Sequence, residues 1–317
     1  MQKSSSNVMQ SRAPGVLGSL LVLIGFVLVG MAVGNILAVF IIAVYTNTPA
    51  GEATDLLNRL LNAPDQVENA WNAMMILQGT VHFFSYLLPC LLFWRYIERR
   101  TLSDFSDTES PASLTWLQVF ILVLVFIPLN SQFIEWNSQM TFPEAMSRIE
   151  KWMRDKEDQL AVLTTFLTKY DRPGQLFIAL IVVVLLPAIG EEMLFRGIIQ
   201  RKFMQQLNNP HLAIWISAAI FSAIHFQFYG FVPRMLLGAL FGYLYYWTGS
   251  LWIAVFAHFV NNGFVLIMMF LYNIKVLDIN LEETKTMPLA IVLTSLALSF
   301  LTLFVIRKEA LKRRELV

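Results

Sequence analysis

In 317 residues the chain carries 56% hydrophobic and only 14% charged residues, with a net charge of +1. Soluble domains carry about 25% charged residues, so this composition excludes an ordinary soluble globule and indicates an integral membrane protein. The near-neutral charge gives no reason to expect a nucleic-acid partner, and a single cysteine, Cys90, excludes a disulfide framework within the chain.

Runs of about 20 apolar residues, the length that crosses a bilayer core, recur along the chain. They are continuous and do not alternate like the strands of a membrane barrel. We therefore predict an all-α, polytopic membrane helix bundle of about eight transmembrane helices. The predicted spans are 15–45, 72–95, 114–135, 175–198, 211–229, 233–248, 250–272 and 287–306. Three regions follow: a polar N-terminal tail, an integral domain and a basic C-terminal tail, at 1–14, 15–306 and 307–317.

The first run, 15–45, follows a polar segment, an order that is also typical of a signal peptide. It is far longer than the ~7–15 apolar residues of a signal sequence and lacks a convincing A-x-A cleavage site, so we predict a retained spanning helix. Gly30 and Gly34 within it form a small-xxx-small pair that favours close helix packing. Glycines are also simply common in membrane helices.

Basic residues follow the second, fourth and eighth predicted spans, and they mark the cytoplasmic side. With an even number of helices, this predicts a multi-pass protein of the inner (plasma) membrane with both termini in the cytoplasm. The segment 137–174 disagrees, because it would be external and yet holds six basic residues. Within it, 143–169 has helical periodicity and predicts an amphipathic helix that lies on the membrane surface or packs on the bundle.

Charged side chains inside a membrane span cost several kcal/mol and usually face a cavity or a partner. The fourth span ends with Glu191, Glu192 and Arg196. Glu192 and Arg196 share one helix face, which favours an ion pair between them. Glu191 lies about 100° around the helix and is left for another role. The alternative is that both acids mark the helix end near the lipid headgroups.

Polar side chains also interrupt the fifth span, at His225, and the seventh, at His258 and Asn262. Taken singly, each has an ordinary explanation as a packed histidine or an interhelical hydrogen bond. Together with Glu191 they supply what water-driven amide hydrolysis needs. A carboxylate takes a proton from water, an imidazole relays it, and an imidazole and an amide donate to the developing oxyanion.

Competing catalytic sets are missing from the sequence. No Ser-His-Asp set and no pair of intramembrane aspartates is apparent, and Cys90 has no neighbouring base. Of the other histidines, His82 has no polar companion and His211 resembles an interfacial residue, so neither is assigned a role. At the α-helical rise of 1.5 Å per residue, His225 lies roughly 20 Å from the cytoplasmic end of its predicted helix. Glu191 and His258 lie roughly 10–15 Å from the cytoplasmic ends of theirs.

Three motifs occur in order on successive hydrophobic segments: E-E-x-x-x-R at 191–196, F-x-x-x-H at 221–225 and H-x-x-x-N at 258–262. They resemble the CPBP intramembrane proteases, which include the type II CAAX prenyl proteases and the bacteriocin-processing Abi enzymes. The stretch 238–252 is also similar to the family. The resemblance covers about residues 175–265, the expected protease core, with no departure at a motif position.

The resemblance implies an active site in a cavity within the membrane that opens toward the cytoplasm. It implies that Glu191 and His225 activate water and that His258 and Asn262 stabilise the oxyanion. Glu192 and Arg196 would then be supporting residues.

Members of the family are also described as metalloproteases. If Zn²⁺ were bound, Glu191, His225 and His258 would be its ligands. An asparagine is a poor zinc ligand, however, and no H-E-x-x-H is present. We therefore expect no cofactor, with Zn²⁺ as the alternative.

The sequence thus predicts an intramembrane endopeptidase, of glutamate or metallo type, that hydrolyses membrane-associated or prenylated (CAAX-like) peptides or proteins. Its expected partners are the substrate and the lipid bilayer. Two alternatives remain open: a non-catalytic immunity or scaffold protein of the same fold, and a proton-coupled transporter that uses Glu191 and the histidines as a relay. The lack of an inverted repeat weakens the transporter hypothesis.

Overall fold

The computed structural model describes residues 15–106, 111–278 and 287–314. In these ranges the chain forms helices and no β-strand, as the all-α prediction requires. The helices in chain order are α1 (Val16–Tyr45), α2 (Ala53–Asn62), α3 (Ala70–Ile97), α4 (Ser113–Ser138), α5 (Ser147–Thr168), α6 (Pro173–Leu207), α7 (Pro210–Ala223), α8 (Phe231–Thr248), α9 (Leu251–Asn273) and α10 (Leu289–Arg314).

Within the described ranges, six helices are long and apolar enough to cross a membrane: α1, α3, α4, α6, α9 and α10. The polytopic helical bundle is thereby confirmed. The predicted fifth and sixth spans are shorter helices, α7 with 14 residues and α8 with 18. At 1.5 Å per residue they measure about 21 and 27 Å, less than the roughly 30 Å of a hydrocarbon core.

The predicted fifth span, 211–229, is wrong in its C-terminal part. α7 ends at Ala223, so His225 lies in the turn that follows and not inside a helix. The break has a local cause, because Phe226 adopts a left-handed backbone conformation with φ of 53°, which a right-handed helix cannot continue through.

The hairpin formed by α6 and α7 accounts for the unequal depths of Glu191 and His225 that the sequence predicted. α6 continues to Leu207, well past the predicted end at residue 198, and α7 begins at Pro210 after a short turn. Glu191 lies about 16 residues before that turn and His225 about 15 residues after it, so both are about 22–24 Å from it along their helices. The two side chains are therefore brought to the same level of the bundle.

Both helices that flank the site contain π-helical segments ahead of a proline. Phe83–Leu87 precedes Pro89 in α3, and Leu180–Leu185 precedes Pro187 in α6. A proline removes one i→i−4 hydrogen bond and clashes with the preceding turn, and the wider π turn accommodates that loss without breaking the helix.

α1 packs closely on α3 at the glycine pair that the sequence singled out. A Cβ atom at Gly30 would lie 2.0 Å from the backbone oxygen of Phe84, and one at Gly34 would lie 2.8 Å from the Phe84 Cβ atom. Neither position has room for a larger side chain. The small-xxx-small interpretation is therefore confirmed for this contact.

α5 is the predicted amphipathic helix, and it packs on the bundle. Its C-terminal half packs against α1–α3 through Leu163, Phe166 and Leu167, and Trp71 donates a hydrogen bond of 3.1 Å to the Leu167 carbonyl. Its N-terminal half lies over the α7–α8 turn, where Trp152 meets the ring of Phe228 at 5.2 Å. α5 therefore covers the end of the bundle at which α7 passes into α8.

The predicted tails lie only partly within the described residues. Residues 1–14 and 315–317 are not among the described residues. The described part of the predicted basic C-terminal tail, 307–314, is a continuation of α10.

Candidate active site

Glu192 and Arg196 form an ion pair in the interior of the bundle, as their spacing on α6 predicts. The Arg196 Nη1 atom donates to Glu192 Oε1 at 2.8 Å, and the exposed fractions of the two side chains are 1% and 0%. Arg196 Nη2 donates to the Gly238 carbonyl on α8 at 2.8 Å. The guanidinium also lies over the Phe221 ring, 4.8 Å from its centroid. One arginine therefore ties α6 to both α7 and α8.

Glu192 also binds His258 on α9. The distance from His258 Nδ1 to Glu192 Oε1 is 2.8 Å, so one carboxylate oxygen serves both the guanidinium and the imidazole. Because a carboxylate only accepts, the His258 Nδ1 atom carries the proton, and a neutral imidazole then presents an unprotonated Nε2. Glu192 thereby sets both the tautomer and the orientation of His258.

The Nε2 side of His258 faces the other two residues of the predicted set. It lies 3.0 Å from Asn262 Nδ2 and 4.0 Å from Glu191 Oε2. Asn262 Oδ1 accepts a hydrogen bond of 3.0 Å from Asn261 Nδ2, which fixes the Asn262 amide with its nitrogen toward the histidine. Glu191, although only 7% exposed, makes no direct hydrogen bond to His258 at 4.0 Å. One bridging water spans a gap of this length.

His225 approaches the group from the α7–α8 turn. Its Nδ1 lies 2.8 Å from the Phe221 carbonyl, which can only accept, so Nδ1 is the donor and Nε2 is left as the acceptor. The Phe221 ring lies between the imidazoles of His225 and His258, with centroid distances of 5.0 and 6.3 Å. Those two imidazoles also interact electrostatically. The described residues show no direct hydrogen bond between His225 and Glu191.

Sequence reasoning missed a third histidine in this cluster. His82 on α3 interacts electrostatically with both His225 and His258, and its Nε2 atom is buried without a hydrogen-bond partner. Its ring stacks on Tyr86 with centroids 4.4 Å apart. Tyr86, one helical turn onward, was the available signal, because it gives His82 a companion on its own helix.

Arg234 was missed as well. It is a basic residue inside the predicted sixth span, which is itself a reason to look for a partner. On α8 it donates a hydrogen bond to Gln227, and its charge interacts with those of Glu191 and His225. It also interacts electrostatically with Glu157 of α5, whose pKa is raised by burial. Arg234 thus links the carboxylate of the site to the covering helix α5.

The predicted zinc ligands do not form a ligand set in this geometry. Among residues 15–106, 111–278 and 287–314, no group of three or more histidine, cysteine, aspartate or glutamate side chains is placed to hold a metal ion. Of the three residues, Glu191 and His258 lie 4.0 Å apart, and His225 uses its Nδ1 atom on the Phe221 carbonyl.

Comparison with known proteins shows that this region is similar to a family. The model of the Rce1-like family, described as type II CAAX prenyl endopeptidase Rce1-like, matches residues 173–264, which span α6 to α9. Two proteins of Bacillus subtilis (strain 168) are similar in sequence. YpbD, an uncharacterized protein, is 35% identical over 26% of this chain and 42% of its own length. A protein named "Putative membrane peptidase YdiL" is 27% identical over 61% of this chain and 71% of its own length.

The match to YpbD thus spans less than half of that relative. No solved structure gives a significant match. The family match nevertheless covers all three motifs, together with α6 to α8 and the first part of α9. Residues 173–264 therefore match the Rce1-like family of type II CAAX prenyl endopeptidases, within a multi-pass helical membrane protein, and the resemblance predicted from the motifs is confirmed.

Proposed function

We propose that the protein is an intramembrane endopeptidase that hydrolyses peptide bonds of membrane-associated or prenylated (CAAX-like) substrates, with water activated at Glu191. One observation carries the proposal: of two adjacent buried carboxylates, only one is committed to structure. Glu192 is held by Arg196 and His258, whereas Glu191 faces His258 Nε2 across 4.0 Å. A buried carboxylate 4.0 Å from an imidazole, a separation that one bridging water spans, is suited to general-base catalysis.

In the proposed reaction, Glu191 takes a proton from the water while the water oxygen bonds to the carbonyl carbon of the substrate. The carbonyl oxygen becomes an oxyanion, and the Asn262 amide nitrogen donates to it. That nitrogen carries two hydrogens and His258 takes only one of them, at 3.0 Å. When the C–N bond breaks, the proton passes to the leaving amine, which becomes the new N-terminus.

His225 is proposed to share the proton transfer. Its Nε2 is the acceptor nitrogen because Nδ1 donates to the Phe221 carbonyl. It can therefore accept a proton from the water and return it to the amine. His258, whose Nδ1 proton is held by Glu192, would donate from Nε2 to the oxyanion only as an imidazolium. In that form it stands between two carboxylates, which stabilise its charge.

We further propose that the reaction needs no metal ion, and that the protein lies in the plasma membrane with both termini in the cytoplasm. The first point is supported by the carboxylate, imidazole and amide already present, which account for each proton. The second is supported by the basic residues at or near the C-terminal ends of α3, α6 and α10.

A panel of labelled peptides presented to the purified protein in lipid nanodiscs tests the function. The panel includes plain apolar peptides and peptides with a prenylated C-terminal cysteine motif. We expect cleavage by the wild type and by Glu52→Gln, a matched carboxylate change at an exposed position outside the site. Glu191→Gln should bind the same peptide without cleaving it. Binding without turnover by the wild type would contradict the proposal and favour an immunity or scaffold protein.

A further inference from the structure

A groove lies between α3 and α6, with α1 and α2 also contributing to its walls, and its lining residue Pro187 is one helical turn before Glu191. It has a volume of about 370 Å³. On α6, Val183 and Pro187 line it at intervals of four residues, which places them on the same helix face as Glu191. On α3, the facing residues also recur at intervals of four: Gln78, His82 and Tyr86. The groove therefore leads along the face of α6 that carries the proposed general base.

His82 is one of the polar residues that line this groove, and its Nε2 atom lacks a partner within the described residues. That atom is buried and makes no hydrogen bond within the described residues. The imidazole is held in place by Tyr86, with the two rings only 13° from parallel. It directly precedes the π-helical segment Phe83–Leu87, and such segments occur frequently at functional sites. A buried, unpaired and fixed nitrogen is ready to accept or donate a hydrogen bond to a ligand.

Gly190 allows His82 to approach this closely. A Cβ atom at position 190 would lie 3.3 Å from His82 Nε2 and 3.1 Å from the Tyr86 Cβ atom. Such contacts are tighter than ordinary packing, so the glycine brings the imidazole against the α6 backbone one residue before Glu191. The electrostatic interactions of His82 with His225 and His258, and of Tyr86 with Glu191, include this face of α3 in the same site.

The lining of the groove indicates what it binds. Most of its surface is apolar, with Leu57, Leu77, Val81 and Val182 among its walls, while amide and imidazole groups lie along one face. A lipid acyl chain cannot form hydrogen bonds with those polar groups. An extended peptide in a membrane needs them, because each of its backbone N–H and C=O groups must find a partner away from water.

We propose that His82 is a substrate-contacting residue, whose Nε2 hydrogen bonds to a backbone peptide group of a substrate segment extended in the groove between α3 and α6. This inference rests on the proposed protease function and adds a contact to it from outside the family-matched region 173–264. A contact kept in both ground and transition state affects KM more than kcat.

The test compares wild type, His82→Leu and His82→Gln on a peptide that the wild type cleaves. We expect His82→Leu to raise KM by roughly 5- to 100-fold with kcat nearly unchanged, as for one lost hydrogen bond to a buried amide. His82→Gln, whose side-chain amide offers a donor and an acceptor, should recover most of the loss. The control is His211→Gln, because His211 bonds to Tyr243, which is not among the site residues, and should leave both constants unchanged.

The inference would be overturned if His82→Leu had the KM of the wild type. It would also be overturned if the only effect were a lower kcat in proportion to the loss of folded protein. Either result would leave the protease function intact. If the wild type binds the peptide without cleaving it, the protease proposal fails. In that case weaker peptide binding by His82→Leu supports the contact and equal binding by the two proteins refutes it.

Discussion

Glu192 and His258 lie 66 positions apart in the chain and share a buried hydrogen bond of 2.8 Å. The same carboxylate oxygen accepts from Arg196, also at 2.8 Å. A single fully buried carboxylate thus joins α6 to α9 and neutralises the guanidinium that reaches α8. Glu191, its neighbour in sequence, has no such structural task.

We predict that Glu192→Gln destabilises the protein far more than Glu191→Gln does. Removing one partner of a buried ion pair leaves the Arg196 charge uncompensated, which typically costs about 3–5 kcal/mol. Thermal unfolding of the detergent-purified variants measures the difference, with Glu52→Gln as the matched surface control. Equal melting temperatures for the two variants at the site would refute this assignment of roles.

Replacing both members of the pair should be milder than replacing either one. In Glu192→Leu/Arg196→Met, no unpaired charge remains, so we expect the double variant to unfold at a higher temperature than Glu192→Leu alone. Arg196→Lys should be less stable than the wild type, because one ammonium cannot reach both Glu192 and the Gly238 carbonyl with the geometry of the guanidinium. A double variant that is less stable than both single variants would contradict this expectation.

The spacing of residues predicted these local relationships well. The Glu192–Arg196 pair followed from four-residue spacing on one helix, and the glycine pair of α1 from its small-xxx-small pattern. Residue spacing along one helix does not predict the contacts between helices. The bond from Glu192 to His258 and the position of His82 depend on how α3, α6 and α9 are arranged, which helical periodicity does not encode. The end of α7 was missed because residues 211–229 contain no charged residue, glycine or proline to mark a break, and the left-handed Phe226 leaves no trace in hydropathy.

The close contact between α1 and α3 gives a prediction independent of function. Gly30→Ala should lower stability clearly, because its Cβ atom would lie 2.0 Å from the Phe84 backbone oxygen and force the helices apart. Gly25→Ala, on the same helix with no atom within 4 Å of its Cβ, should be neutral or slightly stabilising. The melting temperatures of the two variants in detergent provide the comparison. A neutral Gly30→Ala would mean that α1 does not pack at this glycine.

His225 and Asn262 should respond differently to truncation. His225→Ala removes the proposed proton relay and should lower kcat by about 10²–10⁴-fold, with peptide binding retained. Asn262→Ala removes one oxyanion donor and should lower kcat by about 10²–10³-fold, so a residual rate stays measurable. Single-turnover cleavage with saturating enzyme separates these effects from binding. Full activity in either variant would remove that residue from the mechanism.

Metal removal distinguishes the two forms of the mechanism. If Glu191 and His225 activate water unaided, activity should survive prolonged chelation, and elemental analysis of active protein should find no stoichiometric metal. If zinc does the work, chelation should abolish activity, added Zn²⁺ should restore it, and replacing Glu191, His225 or His258 should release the metal. One zinc per chain, lost in step with activity, would overturn the metal-free proposal.

The role of Glu191 is tested most directly by single-turnover cleavage of one peptide by wild type and Glu191→Gln, with the peptide dissociation constant and melting temperature measured on the same samples. We predict a rate lower by about 10²–10⁴-fold in the variant, with affinity and stability unchanged, because the amide fills the same space but cannot take a proton from water. Cleavage by Glu191→Gln at the wild-type rate would contradict it.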